Sequence, residues 1–153
     1  MKTFEYRSVI SVTVTQVVAF HNDPHAIHRL TPPPIRIRVH HDSRSSLTEG
    51  ELDMTLWFGP LPVRWVARHQ PGLTENAFHD RMLSGPMKVW EHEHSFRPVA
   101  NSVELTDHVE YEHQQGGFWG LFTRLFFGGL PLRLLFVYRH WRTRRLAPTF
   151  PAP

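Results

Sequence analysis

His92 and His94 stand two apart in Trp90-Glu91-His92-Glu93-His94-Ser95-Phe96. Successive side chains of a strand point to opposite faces. Both imidazoles therefore share a face with Trp90 and Phe96, while Glu91 and Glu93 take the other. Val103, Leu105, Asp107, Val109 and Tyr111 form a second alternating series, in which Asp107 is the one charged member. If the two segments are antiparallel neighbours with Phe96 opposite Val103, His92 falls opposite Asp107 and His94 opposite Leu105. A directly opposed His92–Asp107 pair would fix the imidazole tautomer and partly neutralise the carboxylate. It would supply a general base or an anchor for a ligand hydroxyl or carbonyl. The same pair also reads as a satisfied polar contact within a sheet, and one residue of slip would abolish it.

His-x-His on a strand also aims two nitrogens at one point, as metal sites require. A third ligand would come from Asp107, His79 or Asp80, and three protein ligands with an open position suffice for catalytic zinc. The expectation from the sequence is nonetheless that no metal and no cofactor is bound. His40-His41-Asp42 has a metal-like composition, but adjacent strand residues face opposite ways. His21, His25 and His28 suit a solvated helix face. No serine nucleophile elbow, phosphate-cradling glycine loop or dinucleotide fingerprint is present. The chain contains no cysteine, which excludes thiol catalysis, thiolate zinc and disulfides.

The elements that must position these residues are marked by period and punctuation. Thr3 to Ile10 alternates as a half-buried strand. Ser11 is placed to cap a helix carrying Val14, Val17, Val18 and Phe20, and Asp23-Pro24 to open a second, short helix that Thr31-Pro32-Pro33-Pro34 ends. Strands follow at Ile35–Val39, Leu52–Phe58, Val63–Arg68, Phe78–Leu83, Met87–Phe96 and Val103–Tyr111, with a polar turn over His41–Ser46. Gly59-Pro60, Pro71-Gly72 and Gly85-Pro86 mark further turns, and the spacing implies a meandering antiparallel sheet. After Gly116-Gly117 comes the apolar segment Phe118–Phe127. Gly128-Gly129 breaks it before a helix from Pro131 to about Leu146, with Leu134, Leu135, Tyr138 and Trp141 at helical spacing.

With 153 residues, 41% apolar and 20% charged, the chain fits one globular domain. Much of the net charge of +3 comes from Arg139, Arg142, Arg144 and Arg145. Such a cluster serves nucleic acid or anionic lipid, or complements the negative end of a helix. Glu5 and Arg7 interrupt any signal-like stretch near Met1, and the cysteine-free composition suits the cytoplasm. Phe118–Tyr138 is strongly apolar with a basic flank, but Arg124, Arg133 and the glycine–proline break argue against a membrane span. Shallow interfacial contact by Phe118–Phe127 stays open.

The order of strand, two short helices, six-stranded meander and long C-terminal helix resembles the helix-grip fold of the START-like (SRPBCC) superfamily. The wording of several stretches is similar to its bacterial polyketide cyclase/dehydrase-like members. They are Ala19-Phe20-His21-Asn22-Asp23-Pro24, Leu30-Thr31-Pro32-Pro33, Phe58 to Trp65, Gly85 to Phe96 and Leu105 to Glu112. The resemblance implies an α+β domain spanning residues 1–153, in which a curved antiparallel sheet of about seven strands grips the long helix around an elongated cavity. It implies no shared catalytic set.

The five Trp and eleven Phe suit the walls of such a cavity. Candidate ligand contacts are Trp57, Trp65, Trp90, His92, His94, Phe96, Asp107, Val109 and Tyr111 on the sheet, Trp119 at a lid, and Leu134, Leu135 and Tyr138 on the helix. The leading expectation is binding or transfer of an apolar small molecule that is lipid-, polyketide- or aromatic-like. One alternative is a cofactor-independent cyclase, dehydratase or isomerase using His92 and Asp107. The other is a membrane-surface or partner-binding module using the basic helix. Nucleic acid is not an expected partner, because the basic residues are not interleaved with aromatics on the strands.

Overall fold

Period-two alternation builds the sheet. A computed structural model describes residues 1–152. In it β1 (Lys2–Ile10) is followed by α1 (Val14–Asn22) and α2 (Ala26–Arg29). The meander β2 (Arg36–Asp42), β3 (Gly50–Phe58), β4 (Leu61–Pro71), β5 (Ala77–Ser84), β6 (Val89–Val99) and β7 (Ser102–Glu112) comes next, and α3 (Gly117–Phe126) and α4 (Gly129–Leu146) close the chain. The seven strands form one antiparallel sheet in the order β1-β7-β6-β5-β4-β3-β2. The α1–α2 segment thus carries the chain from one sheet edge to the other. The architecture is α+β, a curved sheet with the long helix against its inner face.

The first two helices start differently from the sequence expectation. Thr13, not Ser11, caps α1. Its Oγ1 accepts from the Gln16 N–H at 3.2 Å, and the Gln16 Oε1 accepts from the Thr13 N–H at 3.0 Å. This reciprocal box offsets the weak helix preference of the valines. Asp23 does not cap α2, which is a single turn beginning at Ala26. Its carboxylate instead accepts from the His25 N–H at 2.7 Å and pairs with Arg29 at 2.9 Å. The expected turn at His41 also begins later, because β2 runs on to Asp42 through a bulge between Val39 and His41. Where that turn returns into β3, Gly50 has φ +105°, and a Cβ there would come within 2.5 Å of the Arg44 and Ser43 backbone. Only glycine fits.

The β6–β7 register differs by two residues from the expectation. Pro98 does not end β6. The strands stay paired to Val99 and Ser102, so only Ala100 and Asn101 make the turn, with Ala100 at φ 50°. Phe96 therefore lies opposite Leu105, His94 opposite Asp107, His92 opposite Val109 and Trp90 opposite Tyr111. An even shift keeps every side chain on its face, and Trp90, His92, His94, Phe96 and Asp107 all point inward.

The buried face of α4 also differs. Leu132, Phe136, His140 and Thr143 are buried, whereas Leu134 is 57% and Trp141 43% exposed. Apolar residues surround this helix on most sides between Leu130 and Tyr138, so spacing alone does not select a face. Partners on β1 select it. Phe136 packs on Phe4 with ring centroids 5.2 Å apart, and His140 meets the edge of Tyr6 at 4.6 Å. Among the described residues no single helix is long and apolar enough to cross a membrane. The α3–α4 pair together has that length and composition, with a 50° bend at the break.

A polar belt and an adjoining cavity

The core falls into two apolar clusters, and a belt of ionisable side chains separates them. On β6, Trp90 belongs to one cluster and Phe96 to the other, with His92 and His94 between. On β7, Val109 and Leu105 flank Asp107 in the same way, and Phe136 of α4 and Ala147 just past its end bracket His140. Asp80 on β5 completes the belt. Alternation in strands and four-residue spacing in the helix bring these groups to one level.

Asp107 is the hub. Its Oδ1 accepts from His92 Nε2 at 2.8 Å and lies 2.6 Å from His94 Nδ1, while its Oδ2 accepts from His140 Nε2 at 2.6 Å. The Ser8 hydroxyl on β1 meets His140 Nδ1 at 2.6 Å. On the other side of the imidazole pair, Asp80 Oδ2 lies 3.4 Å from His92 Nδ1 and 3.3 Å from His94 Nε2. Burial opposes ionisation of both carboxylates, but the His94 charge and the imidazole N–H groups hold Asp107 well below the usual carboxylate range. His92 and His94 do the same for Asp80. Burial also works against a charge on His94, and the two carboxylates outweigh it, raising that imidazole to about 9. His21, buried beside the belt, is pushed down to about 3 by desolvation and then by the His94 charge. Buried ions persist only when paired in this way.

Beside the belt lies a cavity of about 130 Å³. Ile27 of α2 and Leu30 just after it, Leu52, Met54, Leu56 and Phe58 of β3, Trp65 and Ala67 of β4, Phe78, Trp90, Phe127 and Leu135 supply its apolar walls. His21, Thr31, Arg44, His69, Asp80, His94 and Arg139 supply its polar part. Arg139 is desolvated, its guanidinium pushed below its ordinary value by burial, and its Nε has no partner.

Of the ligand contacts expected from sequence, Trp65, Trp90, His94 and Leu135 line this cavity. His92, Phe96, Asp107, Val109 and Tyr111 are buried but stand behind its wall. Four are corrected outright. Trp57 alternates with the cavity residues Leu56 and Phe58 and so takes the outer face. Trp119 and Leu134 are exposed, and Tyr138 turns toward Trp141, with ring centroids 5.7 Å apart. His79 pairs with Glu91 on the outer face at 3.2 Å. Sequence reasoning missed His21, His69, Arg139 and His140. His69 continues the Val63, Trp65, Ala67 alternation, and His140 lies four residues after Phe136. The first signal was present in the spacing; the second depends on the buried face of α4, which spacing alone does not select.

No family model and no curated protein matches the chain. Solved structures do. Norcoclaurine synthase of Thalictrum flavum, a point mutant bound to a transition-state analogue, superposes with a TM-score of 0.69 at 12% identity, over 97% of this chain and 94% of that one. The Zhui aromatase/cyclase of Streptomyces sp. R1128 gives 0.67 at 9% identity, over 95% and 90%. The chain has the START-like (SRPBCC) helix-grip fold. A nucleoside-diphosphate sugar epimerase of Corynebacterium glutamicum gives 0.67 at 25% identity over 93% of this chain. The present chain spans 28% of that protein's length.

Proposed function

We propose that this START-like domain binds an apolar small molecule of about one ring, carrying an oxygen acceptor at one end. The observation that carries the reading is the apolar-walled cavity of about 130 Å³ that Arg139, whose buried Nε has no partner among the described residues, helps to line. An apolar cavity of about 150 Å³ holds benzene, so a single ring fits these walls, and a long-chain lipid requires them to move. A buried donor without a partner favours a ligand carbonyl, phenol or carboxylate oxygen. Native mass spectrometry of protein purified without denaturation tests this. The expected result is a co-purifying small molecule, or uptake of one equivalent of a phenolic compound. Ligand-free protein that takes up no member of a single-ring panel would refute it.

An acid–base enzyme is the second reading, and one observation favours it. His94 faces the cavity while braced by Asp107 and Asp80. The candidate acid is therefore His94, its proton stabilised by the carboxylates behind it, and not the more deeply placed His92. On this reading, ligand recovered after incubation differs chemically from ligand supplied, and His94→Gln abolishes the difference.

The exposed side of α3 and α4 supports contact with an anionic bilayer. Phe118, Leu121, Leu125, Leu130 and Leu134 are all more than half exposed. Residues 113–153 contain six arginines and no carboxylate side chain. Apolar residues among arginines suit the headgroup region of such a surface. Co-sedimentation with vesicles containing phosphatidylserine, absent with phosphatidylcholine alone and reduced by Leu121→Glu, is the expected outcome. Equal partitioning to both vesicle types, or a concentration-dependent dimer that Leu121→Glu disperses, would refute it.

A further inference from the structure

We propose that Asp80, His92 and His94 form a site for one divalent transition-metal ion, of the zinc class, where the belt meets the cavity. The inference does not depend on which organic molecule the cavity takes. Each of the three residues offers one ligand atom within 4.8 Å of the others. Asp80 Oδ2 stands 3.4 Å from His92 Nδ1 and 3.3 Å from His94 Nε2. These separations are long for charge-assisted hydrogen bonds, which run about 2.7–2.9 Å. They match the edge of a tetrahedron of zinc ligands, about 3.3 Å for bonds of about 2.0–2.1 Å.

The distal nitrogens make the second, independent argument. His92 Nε2 and His94 Nδ1 both face Asp107 Oδ1, at 2.8 and 2.6 Å. Asp107 accepts from His92 Nε2, which turns the His92 Nδ1 lone pair toward Asp80, and His94 Nε2 stands 3.3 Å from Asp80 Oδ2 on the same side. An imidazole lone pair, a second ring nitrogen and a carboxylate converging on one point suit a shared cation, either a proton or a metal ion. A carboxylate on the far nitrogen is the arrangement that orients histidine ligands and raises their basicity. His140 and Ser8 hold Asp107 itself in place. Asp107, expected from sequence as a possible third ligand, thus stands behind the histidines, and Asp80 takes that position.

The donor set and surroundings define the metal. Two imidazoles and one carboxylate suit zinc, cobalt or ferrous iron, whereas calcium and magnesium favour six or more oxygens. Asp80 and His94 line the cavity, so the fourth position opens toward it and accepts water or a ligand oxygen. Half-buried Asp80 and buried Asp107 balance the charge of the ion.

The test uses the full chain, stripped with chelator and titrated with Co²⁺ and Zn²⁺ without organic ligand. Calorimetry and Co²⁺ absorption give stoichiometry and affinity, and thermal denaturation gives linkage to folding. One equivalent per chain is expected, with a higher melting temperature. Asp80→Asn and His94→Gln should each weaken Co²⁺ binding at least about 100-fold, and Asp107→Asn by about 10–100-fold. A double His40→Gln, His41→Gln variant should bind as the unaltered protein does. Asp80→Asn is isosteric and sits at the cavity wall, so it reports even if His94→Gln fails to fold. Absence of stoichiometric binding, unchanged affinity in Asp80→Asn, or loss of binding in the His40/His41 variant would each overturn the proposal. Failure of organic-ligand uptake leaves these readouts unaffected, so the two accounts fail separately.

Discussion

Asp107→Asn perturbs the belt at its hub. The carboxylate contacts His92, His94 and His140 at 2.6–2.8 Å, and only 4% of its side chain is exposed. Two charge-assisted hydrogen bonds, to His92 and His140, at about 1.5–3 kcal/mol each would total roughly 3–6 kcal/mol if independent, before the nearby His94 is added. They are not independent. The amide keeps one oxygen, its NH₂ must face an imidazole N–H, and the neutralised site relaxes around the change. Breaking a buried pair by removing one partner costs about 3–5 kcal/mol, and that is the expected loss. For a chain of this length the melting temperature should fall by on the order of 10 °C. The assay is urea unfolding of chelator-treated protein, followed by far-ultraviolet circular dichroism with Glu104→Gln as control. Glu104 pairs with Arg97 at 2.8 Å on the outer face, where such pairs contribute about 0–1 kcal/mol. A loss below about 1 kcal/mol in Asp107→Asn, or one equal to that of Glu104→Gln, would refute the view that Asp107 organises the core.

Acidification supplies another prediction. The imidazole of His21 sits at about 3 when folded, below its unfolded value, because of burial and then the His94 charge, and burial lowers His69 as well. Between about pH 3 and 6.5 the unfolded chain binds more protons at His21, so stability falls as pH falls, by about 1.4 kcal/mol per pH unit for that group, and His69 adds to the fall in the same direction. Unfolding midpoints from pH 7 to 4.5 should show this slope, and His21→Gln should flatten it by one proton; a slope unaltered by that change contradicts the assignment. Thr13→Ala removes one half of the capping box and should cost about 1 kcal/mol, read as an unfolding midpoint shift without a change in m-value. An unchanged midpoint would show that α1 does not depend on its cap.

The parts of the fold that strict alternation controls were legible in the sequence. Trp90 to Phe96 and Val103 to Tyr111 each keep period two without interruption, so their inward faces follow from geometry alone. The contact between His92 and Asp107 was legible for an incomplete reason. The pairing assumed a long turn, whereas the two-residue turn at Ala100 and Asn101 moves His94 opposite Asp107 and leaves His92 at a diagonal that still reaches. The face of α4 was not legible, because leucines surround it and a polar residue, His140, lies on the buried side. Hydrophobic periodicity treats histidine as surface, and only a partner such as Asp107 reverses that. For the same reason His21 reads as a solvated position until Phe96 and Phe78 are seen packed around it.

The most direct test of the cavity as a ligand site is uptake with its floor filled. Ala67 is 4% exposed and lines the cavity, so Ala67→Leu places a larger side chain in the space a ring would occupy. Trp65 and Trp90 in the same wall report occupancy through their fluorescence. The account predicts that the unaltered protein takes up one equivalent of a phenolic ring compound with quenching, and that Ala67→Leu, still folded, binds it at least about tenfold more weakly, a difference of 1.4 kcal/mol or more. Equal uptake by both proteins would contradict it.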